Sequence, residues 1–393
     1  MAKPKLALIP AAQGSKLFSV LPSSGVGDFD FTRSGSATRI NSQGLIEEVG
    51  NGVSRLNYPM IDGKVVGCPH HILEPSRTNL YPYSNDVSFW SKSNVVTTSN
   101  YAISPDGTQN AFRAAFSTST GALYINALGT TGVNNTLSVW AKSNNGSSNK
   151  FRFFGNGFIS ISDDYIATEE WQRFEFTYSC TNLTSGLTGA SDSATNDILF
   201  YGFQHEVGSY ATSYIPTNGA IATRLADQAS GSGNSSLINS TEGVLYAEIA
   251  AFDNDTGNRD IYLSDTTASN RVRLRFDSSN NINVLLYNGS TQFNTTQSLT
   301  DAAIFNKIAF KYKTNDFALW VNGTEVATDT IGTVCSGLND LSFWATYVSD
   351  NNFYGKVKAL AVYKEALTDI DIEELTSWES FILMANGQNY TIK

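Results

Sequence analysis

Residues 306–326 constrain the fold more tightly than any other stretch of the 393-residue chain. Ile308, Phe310 and Tyr312 alternate with Ala309, Lys311 and Lys313, the period-2 pattern of a strand that buries one face. Thr314-Asn315-Asp316 is short and polar enough to turn the chain. Phe317, Leu319 and Val321 resume the alternation, and Asn322-Gly323 turns it again before Glu325-Val326. Asn-Gly suits a type I′ turn because that turn needs positive φ at both central residues. Strand, turn, strand, turn, strand predicts an antiparallel meander, and nothing in the stretch is periodic as a helix would be.

The same character extends through the C-terminal half, at Val244–Ala250, Arg271–Phe276, Ile282–Tyr287, Leu341–Thr346 and Gly355–Tyr363. The polar-aromatic strand followed by FALWVNGTEV resembles the core hairpin of laminin-G-like, concanavalin-A-type β-sandwiches. A charged fraction of only 16% with 12% aromatics fits an all-β chain with many turns and argues against disorder. Net charge is −10 with no run of Lys or Arg, so a nucleic-acid groove is not expected. No stretch approaches the roughly 18 apolar residues of a membrane span. The opening apolar run is too short and too interrupted for a signal-peptide core. Cys68, Cys180 and Cys335 are sparse and odd in number, which predicts no disulfide framework and folding in a reducing cytoplasm.

Residues 1–27 mix apolar side chains with Pro4, Pro10 and Pro22 and read as an arm for a partner or neighbouring subunit. A strand added to the following domain is the alternative. From Asp28 two linked patterns appear. The first comprises Arg33, Ala37, Thr38, Arg39, Asn41 and Gly44; the second comprises Cys68, Pro69, Glu74, Pro75, Arg77, Thr78, Asn79 and Leu80. Together they resemble the N-terminal region of phage tail-fibre or head-fibre-like proteins and their prophage relatives. Arg33, Arg39, Glu47, Glu48, Arg55, Glu74 and Arg77 are placed to form ion pairs that pin a loop-rich segment. Residues 1–80 are thus expected to be a virion-attachment or connecting region.

Residues 81–217 predict a second sandwich. Strands are expected at Asn110–Phe116, Ala122–Ala127, Thr136–Ala141, Lys150–Phe154, Trp171–Tyr178 and Asp197–His205, with a turn at Ser104-Pro105-Asp106-Gly107. The segments LSVWAK, WQRFEF and FYGFQHEVGSYATSYIPT resemble jelly-roll carbohydrate-binding modules. Residues 218–236, ending in small polar side chains, read as a linker. A laminin-G-like domain follows at 237–377, and an apolar tail at 378–393. The fold class expected is therefore all-β, two β-sandwiches with an N-terminal arm and one short C-terminal helix. Thr368 as cap, Asp371 three residues on, and Leu367 with Ile372 as a hydrophobic staple mark that helix.

The helix bears on catalysis. Asp369, Asp371 and Glu373 superficially match the alternating carboxylates of laminarinase-type glycosidases, but a helix points Asp369 and Asp371 in different directions, and a retaining site needs two carboxyls on one face. No catalytic residue is assigned. His70 and His71 beside Cys68 match no common zinc spacing, and His205 reads as a satisfied core histidine. Asp253, Asp255, Asn258 and Asp260 place four oxygen-bearing side chains on one loop, and the laminin-G-like resemblance implies that such a loop can hold Ca2+; an acidic solvated turn is the alternative. Tyr81, Tyr83, Trp90, Phe158 and Tyr165, at loop ends, are candidates to stack on sugar rings, with local packing as the alternative. The combined resemblance implies a non-enzymatic virion protein, made in the host cytoplasm, binding capsid or tail proteins and host-surface glycans. The apolar stretches Leu6–Leu21 and Phe381–Met384 add the expectation of a homotrimer. A soluble lectin outside any virion is the alternative, and a glycoside hydrolase a more distant one.

Overall fold

The computed structural model describes residues 3–8, 12–126, 130–192, 194–347 and 351–378. The meander forms as the alternation predicts: Asn306–Lys313, Asp316–Val321 and Thr324–Asp329 pair antiparallel in sequence. Asn322 and Gly323 both take positive φ, 48° and 82°, as the Asn-Gly turn requires. These strands form one side of an eight-stranded sheet that continues through Glu242–Ala250 and Gly355–Tyr363 to His70–Leu73 and Leu56–Asn57. A five-stranded sheet, Thr291–Gln297, Ile282–Asn288, Asn270–Phe276, Arg259–Ser264 and Asp340–Ser342, faces it. Leu245, Leu263, Leu274, Leu286, Phe310 and Leu319 fill the space between. The opposite face of the long sheet is covered by the helix Asp369–Ser377. There Ile372 and Leu375 cover Tyr246, Trp320 and Tyr363, and the Thr368 hydroxyl accepts from the Asp371 amide.

The central sandwich is built the same way. Val95–Ala102, Ala111–Phe116, Asn196–Val207, Asn134–Ser143 and Gln172–Ser179 form one sheet. A six-stranded sheet contains Ser91–Ser93, Ala122–Ile125, Ser185–Gly189 and Asn149–Gly155. Its core is strongly aromatic, with Phe112, Phe116, Phe151, Phe153, Phe200 and Phe203 all fully buried.

Two boundaries differ from the sequence reading. The first residues are not a free arm. Leu6–Leu8 pairs with the C-terminal strand, Leu6 opposite Val362, and lies end to end with His70–Leu73 along the same edge of that strand. Leu6, Leu8 and Leu17 are buried in the C-terminal core, so these three of the apolar side chains that argued for a neighbouring subunit have partners in their own chain, while Phe18 is exposed. The physical reason is that the N-terminal strand completes an edge that Gly355–Tyr363 would otherwise expose.

Nor is 218–236 a linker. Ala222–Arg224 pairs with Arg77–Asn79, and Gln228–Ser230 pairs with Phe29–Thr32. Small polar residues there fit a close-packed crossing: the Ser232 hydroxyl, fully buried, donates to the Gly27 carbonyl at 2.6 Å. The region 1–80 is thus woven into both sandwiches. Of the expected tail, all but Trp378 lies outside the described residues, as does Phe381–Met384.

Candidate functional site

The linked N-terminal patterns converge on a buried ionic hub. Arg33 donates to Asp227 at 3.1 Å, and Arg55 pairs with both Asp227 and Glu74. Arg224 reaches Glu74 at 3.0 Å. All five side chains are shielded from solvent. Ser213 of the central sandwich donates its backbone N–H (2.7 Å) and its hydroxyl (2.6 Å) to the Glu74 carboxylate. Ion pairing was expected of Arg33, Arg55 and Glu74, and Arg39 does pair with Glu47. Arg77 instead lies over the Tyr210 ring at 5.2 Å, and Glu48 is exposed. The hub fastens residues 1–80 to the crossing at 218–236 and to the central sandwich, and Arg55, donating to the Thr38 carbonyl at 3.1 Å, holds the hairpin Ala37–Ile40 and Ile46–Val49 there.

That hairpin forms one wall of a polar cleft of about 720 Å³. Thr38, Ile46 and Glu48 face Asn85, Asp106, Asn110, Tyr201, Tyr214 and Thr217 across it. Two local devices shape the far wall. In the turn after Ser104, Asp106 accepts from Ser104 (2.7 Å), Thr108 (2.7 Å), Asn110 (2.8 Å) and the Tyr201 hydroxyl (2.9 Å). In the strand Asn196–Val207 the register shifts at Gly202, whose φ of 67° suits a residue without Cβ. A Cβ there would come within 3.3 Å of both Trp140 and Tyr214. The Gly202 amide donates to Asn85 at 2.6 Å, and Asn85 in turn donates to the Tyr214 hydroxyl at 3.1 Å.

Burial pushes the Asp106 carboxyl upward, but the hydrogen bonds from Asn110, Thr108 and Ser104 outweigh it and hold its pKa below the ordinary value. The Tyr201 phenol is driven up by burial and by the neighbouring Tyr214 and Asp106, so it stays a neutral donor. The cleft therefore presents an ionised carboxylate, carboxamides and hydroxyls. Within it the buried Asn110 Oδ1 has no hydrogen-bond partner among the described residues.

None of the sequence candidates for sugar stacking lines this cleft. Tyr81 and Trp90 are core residues, correcting their assignment as surface platforms: Tyr81 packs on Phe203, and the Trp90 indole donates to the Tyr83 carbonyl at 2.9 Å. Tyr165 packs on Phe151 and Phe174 and donates to the Glu175 carbonyl. Tyr83 stacks on the exposed Phe89 at 3.9 Å, and Phe158 on Phe154 at 3.7 Å. Their rings meet other rings because loop ends here fold onto the sandwich.

The candidate calcium loop is corrected by its arginines. Asp255 is paired with Arg259, and the buried Asp260 accepts twice from Arg275, at 2.5 and 2.7 Å, and once from Tyr262. Asp253, Asp255, Asn258 and Asp260 therefore do not converge as a ligand set. No group of three or more His, Cys, Asp or Glu among the described residues is placed to hold a metal. His205 is fully buried, accepts or donates with Asn135 at 2.9 Å, and is pushed down to about 3 by desolvation, as a core histidine would be. Asp369 pairs with Lys311 from the helix, so the glycosidase-like run is not a strand of carboxylates.

Residues 249–373 match the family model described as the Concanavalin A-like lectin/glucanases superfamily, within the C-terminal sandwich. No curated protein sequence matches the chain. Among solved structures, similarity extends to the CBM40 of the Ruminococcus gnavus IT-sialidase, bound to α2,3 sialyllactose. It is 14% identical over 37% of this chain and 92% of that one, with a TM-score of 0.32. The SAP-like pentraxin of Limulus polyphemus is 15% identical over 36% of this chain and 72% of its own, with a TM-score of 0.30. Domain 4 of AbnA, an arabinanase of Geobacillus stearothermophilus, in complex with arabinotriose, is 15% identical over 43% and 83%, with a TM-score of 0.28.

Proposed function

We propose that the chain is a non-catalytic glycan-binding protein that holds a neutral sugar chain in the polar cleft. The observation that carries this reading is the pairing of an ionised Asp106 with the unpartnered Asn110 Oδ1 on one wall. Vicinal sugar hydroxyls both donate and accept; Asp106, saturated by its own neighbours, fixes the orientation of Asn110 and Tyr201, and the free Asn110 Oδ1 and the Tyr214 hydroxyl are the groups left to meet them. The cleft is lined by Glu48, Asp86 and Asp106 and, among the described residues, by no Lys or Arg, which disfavours an acidic sugar there. A hydrolase would require a carboxyl with a raised pKa as general acid, and Asp106 is shifted the other way.

Screening the full chain against a panel of neutral oligosaccharides should yield a binder whose affinity falls about tenfold in Asn110→Ala, the loss expected of one buried hydrogen bond near a charged group. Unchanged affinity in that variant would remove the cleft from the binding site. Release of reducing sugar that disappears in Asp106→Asn would make the protein a hydrolase.

The setting we propose for this binder is a phage tail- or head-fibre-type appendage, supported by the paired patterns around Arg33–Gly44 and Cys68–Leu80. Copies of such a protein close by rotational symmetry, and a homotrimer is the state put forward. Sedimentation with purified particles supports that setting, and a free protein with the mass of one chain leaves a soluble lectin.

A further inference from the structure

Behind the polar cleft, sharing Thr38, Ile46 and Tyr214 with it, lies a second cavity of about 270 Å³ where the N-terminal region and both sandwiches meet. Its character is opposite. One wall is apolar and aromatic, made by Tyr58, Met60, Trp140 and Phe252. The charged side chains facing it are Arg39, Arg173, Lys356 and Glu74, beside His70, which burial pushes down to about 3 and so keeps neutral. Glu74 is fully engaged by Arg55 and Arg224, and Arg39 by Glu47. Arg173 and Lys356 have no carboxylate within ion-pair distance among the described residues; the Lys356 amine lies 5.9 Å from the centre of the Phe252 ring, and burial pulls it below its ordinary value.

Three buried nitrogens at the cavity lack partners. The Trp140 indole Nε1 belongs to a side chain only 8% exposed, His70 Nδ1 to one 5% exposed, and Arg173 donates through Nη2 to Ser138 at 3.0 Å while its Nε has no partner. Buried polar groups in native proteins are satisfied far more often than not. Two cations without a carboxylate partner and an unpaired indole N–H on one small cavity together call for an acceptor that carries negative charge. The aromatic wall calls for a ring face alongside it.

We infer that this junction cavity binds a carboxylated monosaccharide unit, a uronate, with its carboxylate toward Arg173, Lys356 and the Trp140 N–H and its ring face against Tyr58 and Phe252. The inference is independent of the neutral-glycan reading of the cleft, because the two cavities share three lining residues but none of the charged groups that would recognise the ligand. Arg173 and Lys356 come from different sandwiches, so occupancy would also tie the two together.

Calorimetry on the full-length protein tests it, with galacturonate, galactose and inorganic phosphate as separate probes. Galacturonate should bind roughly tenfold or more tightly than galactose, and Arg173→Met and Lys356→Met should each weaken it by roughly tenfold, the scale of a charge-assisted hydrogen bond. Both methionines keep the apolar stem, and an unchanged unfolding midpoint in each separates lost binding from lost folding. Asn110→Ala should leave galacturonate affinity as it was. Equal binding of galacturonate and galactose, no binding of galacturonate, or phosphate binding as tightly as galacturonate would each overturn the inference.

Discussion

Asp227→Ala is expected to lower the stability of the chain by about 3–5 kcal/mol, the cost of removing one member of a buried charge network. Its two carboxylate oxygens are shared between Arg33, Arg55 and the Glu74 backbone N–H, the last at 2.8 Å. Without it Arg33 keeps only carbonyl partners, at Gly35, Gly50 and Val53, and no carboxylate. Its guanidinium is already disfavoured by burial and by the neighbouring charge of Arg55. The urea midpoint at pH 7 should fall, and it should fall less in a variant of an exposed pair such as Lys150→Ala, since water and salt screen a surface pair.

The same hub sets the acid limit. Burial raises the Glu74 carboxyl, but Arg224, Arg55 and the Ser213 hydrogen bonds more than reverse that, leaving it well below its ordinary value of 4.5. A carboxyl depressed in the folded state binds protons more readily when unfolded. Its contribution is therefore complete above about pH 4.5 and is lost as pH falls toward the folded pKa. Urea midpoints should decline below that pH, and Glu74→Gln should flatten part of the decline while starting from a lower value at pH 7. A Glu74→Gln profile parallel to that of the unmodified chain would exclude Glu74 as the titrating group.

These residues also mark where sequence reading stops. The meander, the Asn-Gly turn and the capped helix were legible because each rests on residues within a few positions of one another: alternation, positive φ, a hydroxyl three residues before its amide. The sandwich strands were legible for the same reason, with Gly355–Tyr363 found to the residue. The hub was half legible. Arg33, Arg55 and Glu74 stood out, but Arg224 and Asp227, the latter 194 residues from Arg33, sit in a stretch whose Gly and Ser content reads as slack chain. Composition reports local freedom, whereas pairing with Phe29–Thr32 is a tertiary fact.

Burial misled in the same way. Tyr81 and Trp90 stand beside turns, as exposed aromatics do, and the fold closes over them. Asp106 was visible only as a turn residue. Nothing near it in sequence announces that Tyr201 and Thr38 will face it. The junction cavity, assembled from three regions of the chain, leaves no local signature at all.

Deleting residues 1–8 is expected to destabilise the C-terminal sandwich severely, and this bears directly on how the chain could attach to anything. Leu6 and Leu8 have no exposed surface and pack in the core with residues such as Ile238 and Val362. Truncating either leucine to alanine should cost about 2–5 kcal/mol, the range for emptying a filled core site. Removing both with their backbone would also strip the hydrogen bonds that Leu6–Leu8 makes to Leu360–Val362. The exposed half-edge of Gly355–Tyr363 would then be a template for pairing with other chains. The truncated protein should unfold at lower urea and aggregate as it does so, and Leu8→Ala should reproduce the first effect without the second. If the truncated chain instead melts like the full one, the strand is not seated, and the segment is free to be the arm that its prolines imply. A segment cannot close the core of its own chain and reach into a neighbour at once, so that melting curve decides between attachment by the first residues and attachment elsewhere.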